Sequence, residues 1–145
     1  MTIERVLGLD VGTKTIGIAL GLVRLSLAEP LSTLSRKGVK KDVVHLSQLC
    51  RQHQAQQVIV GLPLQLDGTE GRSARLARQI GDALSSETGL PVVYFDERFT
   101  TVEASRRLQD SGVNSRHQKQ MIDQVAAMVI LEDWMSHQAS RSDIT

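Results

Sequence analysis

Three acidic positions in this chain stand where α/β sheets do their chemistry. The stretch Val6–Gly21, VLGLDVGTKTIGIALG, is an apolar run ending in a single aspartate, Asp10, followed by a second apolar run. A later run, PVVYF, is followed at once by Asp96-Glu97-Arg98. The third acid, Asp123, lies in MIDQVAAMVIL, where apolar residues recur at helical spacing. Active sites in such sheets gather beyond the carboxyl ends of the strands. One acid there is commonly a turn starter; acids after two separate apolar runs make that reading less comfortable. At about 100° per residue, the stripe Ile122, Val125, Ala126, Val129 and Ile130 puts Asp123 on its edge, beside Ala126 and Ala127. The alternative is a surface aspartate favoured by the macrodipole near a helix start.

Carboxylates converging from two strands and a helix repel one another, and a bound divalent cation relieves them. Oxygen ligands without a Cys-rich or paired-His set point to one or two Mg²⁺ or Mn²⁺ ions, not zinc. Two such ions can activate water and stabilise the leaving oxygen of a phosphodiester. Asp96 and Glu97 point to opposite faces by strand alternation, and the sequence leaves open which face is the active one.

Bringing these acids together requires particular elements. Arg5–Leu9 and Thr15–Leu20 read as buried strands joined by a tight turn at Gly12. Leu27–Leu34 is a further strand, and Pro30 predicts an edge or a bulge there. Helical spacing of Val39, Val43, Leu46 and Cys50 predicts a helix over about Lys40–His53. Gln57–Val60 is a short strand, and Gly61–Gly71 a Gly-containing loop of functional length. Leu76, Ala77, Ile80, Ala83 and Leu84 mark the next helix, with Gly89 as its C-terminal glycine. Pro91–Phe95 is a core strand. Thr100 with Glu103, and Ser115 with Gln118, read as helix starts of the capping-box type. The first of these helices stops before Gly112, and the last runs to about Met135. The order β-β-β-α-β-α-β-α-α predicts an α/β fold: a mixed sheet flanked by helices. Residues 1–138 form one domain by this reading, with a frayed tail over 139–145.

Composition narrows the function classes. The 145 residues carry a net charge of +1, so any nucleic-acid surface must be a local patch. Aromatics make up 3%, which disfavours recognition by rows of stacked rings. Cys50 is the single cysteine, which excludes an internal disulfide, and it falls on a helix stripe as a core residue. His45, His53, His117 and His137 lack metal-ligand spacing. The sequence shows neither a signal-peptide pattern nor a long apolar span, so a cytoplasmic location without a membrane partner is expected.

The fragments LGLDVGTKTIGIAL, IVGLPLQLDGTEG, DERFTTVEA and IDQVAAMVIL, in this order, resemble the YqgF-type nucleases. That family is described as Holliday-junction resolvases and as pre-16S ribosomal RNA nucleases. The resemblance covers nearly the whole chain. It implies a ribonuclease H-like fold of five strands, the first three antiparallel and the QVIV and PVVYF strands parallel to the first. It also implies that Asp10, Glu97 (not Asp96) and Asp123 are the metal-binding catalytic acids. Many members follow the second strand with Ser-Asp, where this chain has Gly21-Leu22.

The expected partner is structured nucleic acid, branched DNA or a ribosomal RNA precursor, met by a monomer or a homodimer. Lys14 and Arg98 adjoin the acids, and Arg72, Arg75 and Lys119 are further candidates for phosphate contact. Two other functions compete. A nucleic-acid-binding ribosome-maturation factor would keep the basic residues without needing the acids. An actin-like ATPase or sugar kinase would use DVGT as a phosphate loop; that design closes two domains on its nucleotide, and the chain carries no Walker A sequence.

Overall fold

The computed structural model describes residues 4–97 and 116–144, with the side chains of the last helix described over 122–138. Strand alternation sorts the first two strands into two faces. β1 (Arg5–Val11) and β2 (Thr15–Leu22) form an antiparallel hairpin, in register from Arg5↔Leu22 to Val11↔Ile16. Gly12 closes the turn, its N–H donating to the Thr15 carbonyl at 2.8 Å. A short 3-10 turn, Val23–Leu25, leads to β3 (Leu27–Ser35), antiparallel to β2. The β2–β3 register slips between Ile18 and Ala19, where Ser32 and Pro30 are the successive partners. Pro30 therefore sits at a bulge on an edge strand, as a residue without an N–H must.

α1 (Val39–Gln52), β4 (Gln57–Leu62), α2 (Arg72–Thr88) and β5 (Val92–Asp96) complete two crossover units. β4 runs parallel to β1, and β5 parallel to β4. The sheet order is β3-β2-β1-β4-β5. Gly89 ends α2 at φ 73°, a left-handed conformation that glycine adopts without steric cost. α3 (Arg116–Ile144) is the last helix and extends well beyond Met135. The helix expected after Thr100, and both capping boxes, lie outside the described residues.

Side chains alternate between two cores. Leu7, Leu9, Val11, Ile16, Ile18, Leu20, Val58 and Val60 face α1 and α2, where Leu46, Ile80 and Leu84 are also fully buried. Val6, Ala19, Ile59 and Phe95 face α3 and meet Ala127, Ile130, Leu131 and Trp134. The buried stripe of α3 is thus centred on Ala127, Ile130, Leu131 and Trp134. Of the expected stripe, Val129 and Ile130 are buried, whereas Ile122 is 39% exposed. The shift arises because α3 seats against small residues of the sheet. A Cβ at Gly17 would overlap the Asp123 carbonyl of α3.

Candidate active site

β1 places Asp10 one residue before its end, inside the strand and paired with Gly17 of β2. By alternation Asp10 shares the α3 face with Val6, while Leu7, Leu9 and Val11 face the other core. β5 delivers Phe95 to the α3 face, and Glu97 just after it returns to that side. A Cβ at Gly61 of β4 would strike the Glu97 carboxylate and Ile130, so only glycine leaves room for that side chain. Parity thus places Glu97 on the face of Asp10. On α3, Asp123 lies one turn before Ala127 and is half-buried, at the rim of the buried face as its place beside the apolar stripe predicts.

Two of the acids touch. The Glu97 carboxyl hydrogen-bonds the Asp10 carboxylate. Burial raises the Asp10 carboxyl above its ordinary value; the bond from Glu97 opposes the rise and the nearby Asp123 charge adds to it. Glu97 is pushed up to about 8, first by burial, then by the charge of Asp10 and the hydrogen bond it donates to it, and last by Asp96. Burial and mutual repulsion thus favour a proton on the pair, with Glu97 the donor and Asp10 the acceptor. Asp123 faces Asp10 electrostatically, but one of its oxygens, Oδ2, accepts from the Thr15 hydroxyl at 2.6 Å. Among the described residues, no group of three His, Cys, Asp or Glu side chains forms a ready cage for an ion. The donor set that does meet is all oxygen, carboxylates plus a hydroxyl, which is the set a hard divalent cation takes. A cation replacing the shared proton would leave both carboxylates charged and compensated.

Thr15 carried no role in the sequence reading, although it belongs to the Thr-Lys-Thr turn after Asp10. The same turn is braced from β3. The Arg36 backbone N–H donates to the Lys14 carbonyl at 2.9 Å, and its guanidinium donates to the Gly12 carbonyl at 3.2 Å. The Arg36 guanidinium also pairs at 3.1 Å with Asp42 of α1, which is 1% exposed and further accepts the Lys37 N–H at 2.9 Å. Neither Arg36 nor Asp42 stood out in the sequence, because their pairing depends on where β3 ends.

The basic candidates divide. Lys14 is exposed on the turn beside Asp10. Arg72 and Arg75 are exposed at the start of α2 and line a groove of about 480 Å³. Their neighbour Arg78 is engaged: it pairs with Glu70 at 2.6 Å and lies 4.8 Å from the centre of the Tyr94 ring. Arg98 lies outside the described residues, as does the side chain of Lys119. Cys50 is buried, and burial pushes its thiol up to about 11, in keeping with a core residue. No helix among the described residues is long and apolar enough to cross a membrane.

The chain is similar to known proteins in sequence and in fold. The chain is 41% identical over 135 residues, 93% of its length and 98% of the relative's, to a protein of Anaeromyxobacter dehalogenans named "Putative pre-16S rRNA nuclease". A protein of Moorella thermoacetica with the same name is 42% identical over 131 residues, 90% of this chain and 94% of the relative. The fold is shared with T. thermophilus RuvC, solved in complex with Holliday junction substrate. The TM-score is 0.58 at 16% identity, over 93% of this chain and 96% of that one. With residues 4–137 matching the model of RuvX, described as Holliday junction resolvase, the chain belongs to the RuvX family.

Proposed function

We propose that the chain is a divalent-cation-dependent endonuclease that hydrolyses phosphodiester bonds of structured nucleic acid. The observation that carries this reading is the contact between the half-buried Asp10 and Glu97 carboxyl groups on the α3 face of the sheet, with Asp123 near Asp10. Asp10, Glu97 and Asp123 would hold Mg²⁺ or Mn²⁺, one or two ions; when bound, such an ion supplies a Lewis acid at the phosphoryl oxygens and lowers the pKa of water. Thr15 fixes the Asp123 carboxylate. Arg36 fixes the turn that follows Asp10. Lys14, at the tip of that turn, offers a positive charge to phosphate. The names of the relatives favour the 16S ribosomal RNA precursor as substrate, and the family description favours a four-way DNA junction. The protein works in the cytoplasm, as a monomer on RNA or a homodimer on a junction.

The test is cleavage of a four-way DNA junction and of a 16S precursor RNA, side by side, with Mg²⁺ and with Mn²⁺. Wild type should cut at least one of them. Asp10→Asn should lower cleavage on the order of 10³-fold, the scale of removing a preorganised electrostatic group from an active site. Undiminished cleavage by Asp10→Asn ends this assignment, and binding without cleavage in either metal replaces it with the non-catalytic binding module.

A further inference from the structure

A second feature lies beside the catalytic turn, at the end of β3. Lys37, Lys40 and Lys41 are all exposed and line a groove of about 450 Å³ along the start of α1, with His45 farther on. The acid in this lining, Asp42, contributes no free charge, because Arg36 and the Lys37 N–H occupy its carboxylate. The groove is therefore positive although the whole chain carries only +1. It is also tied mechanically to the site. Arg36, the residue before Lys37, bonds the carbonyls of Gly12 and Lys14 in the turn after Asp10. β3 ends beside the turn after Asp10, at the carboxyl end of β1, and α1 starts from that same end of the sheet before packing on the face opposite α3.

We infer that the lysine groove of Lys37, Lys40 and Lys41 carries the phosphodiester backbone of the substrate on one side of the cut, continuing the path that Lys14 begins. Lysines contact phosphate as point charges, so the groove reads the backbone and not the bases. It sets affinity and the direction in which the strand leaves the acids. This inference rests on the nuclease reading above.

The test measures binding in the Asp10→Asn background, which keeps the probes intact. Fluorescence anisotropy follows a labelled four-way DNA junction and a labelled 16S precursor RNA across a range of KCl. The triple variant Lys37→Gln, Lys40→Gln, Lys41→Gln should bind tenfold or more weakly at about 0.1 M salt, and its plot of log affinity against log salt should flatten by about 2. A charge-matched control, Arg5→Gln, Arg24→Gln, Arg51→Gln, alters exposed residues at the opposite end of the sheet and should change affinity less than about threefold. The reversal Lys40→Glu alone should act in the same direction as the lysine triple. A loss confined to one probe supports the groove and identifies the nucleic acid it serves. Equal losses in the two triples, or no loss in the lysine triple, overturn the groove. If wild type cleaves but the lysine triple binds like its parent, only this inference fails. If the parent binds neither probe and wild type cuts neither, the nuclease reading fails with it.

Discussion

The two faces of the sheet are built by different means. Toward α1 and α2, the strands present Leu, Ile and Val, and the helices answer with side chains of similar size. Toward α3, β2 and β4 present Gly17 and Gly61 near the acids, and the helix backbone or a carboxylate fills the space a Cβ would occupy. The first face is ordinary core, whose stability comes from apolar area removed from water. The second gives up part of that area to bring the half-buried Asp10, Glu97 and Asp123 to one end of the face. Burial then does two things at once: it holds the acids in register, and it makes their joint ionisation unfavourable without a proton or a cation.

Three substitutions bear on that division of labour. The largest stability change belongs to the face without acids. Ile80→Ala empties a fully buried site and should cost about 2–5 kcal/mol in urea unfolding, with the turnover of the folded fraction within about twofold of wild type. A matching collapse of turnover would show that the faces are not separable. Gly17→Ala probes the other face. Its new methyl meets backbone, which cannot rotate away, so α3 must shift; the cost should be about 1–3 kcal/mol. Here turnover should fall more than stability does, because Asp123 moves with the helix, and retained activity would break the comparison.

The smallest effect is in pH dependence. Glu97 binds its proton more tightly folded, at about 8, than unfolded, at the ordinary value of 4.5. Between those values the native state holds more protons, so this group's contribution to stability is full below 4.5 and is lost as pH rises through about 8. In Glu97→Gln that titration is gone. Without divalent cation, melting scans from pH 5 to pH 9 should therefore show a shallower fall in Tm for the variant than for wild type. Parallel slopes would mean that the Asp10–Glu97 pair does not govern the electrostatics of this face.

Much of this was legible from local pattern. The apolar runs located the strands, Pro30 located the bulge, and the acids after the runs located the candidate site. Each depends on residues close in sequence. What escaped was set by distant contacts. Thr15 meets Asp123 across 108 positions, and neither residue signals the other. The stripe on α3 was legible in part: Val129 and Ile130 are buried as their spacing predicts, whereas Ile122 is exposed and Ala127 and Leu131, the latter seated against Gly8, are buried through contacts distant in sequence. Which of Asp96 and Glu97 shares the face of Asp10 is a matter of strand parity, and parity needs the register of β4 with β5.

The bulge in β3 has a consequence for assembly. Outer strands of a sheet invite a second chain to continue the ladder, and natural proteins blunt them with proline, charge and irregular register. β3 has all three near its middle: Pro30, the exposed Glu29 beside it, and the slip opposite Ile18 and Ala19. Two copies of this chain cannot zip together along the whole of that border. The opposite border, β5, contains no proline, so the two margins of the sheet differ in how readily a second strand could extend them.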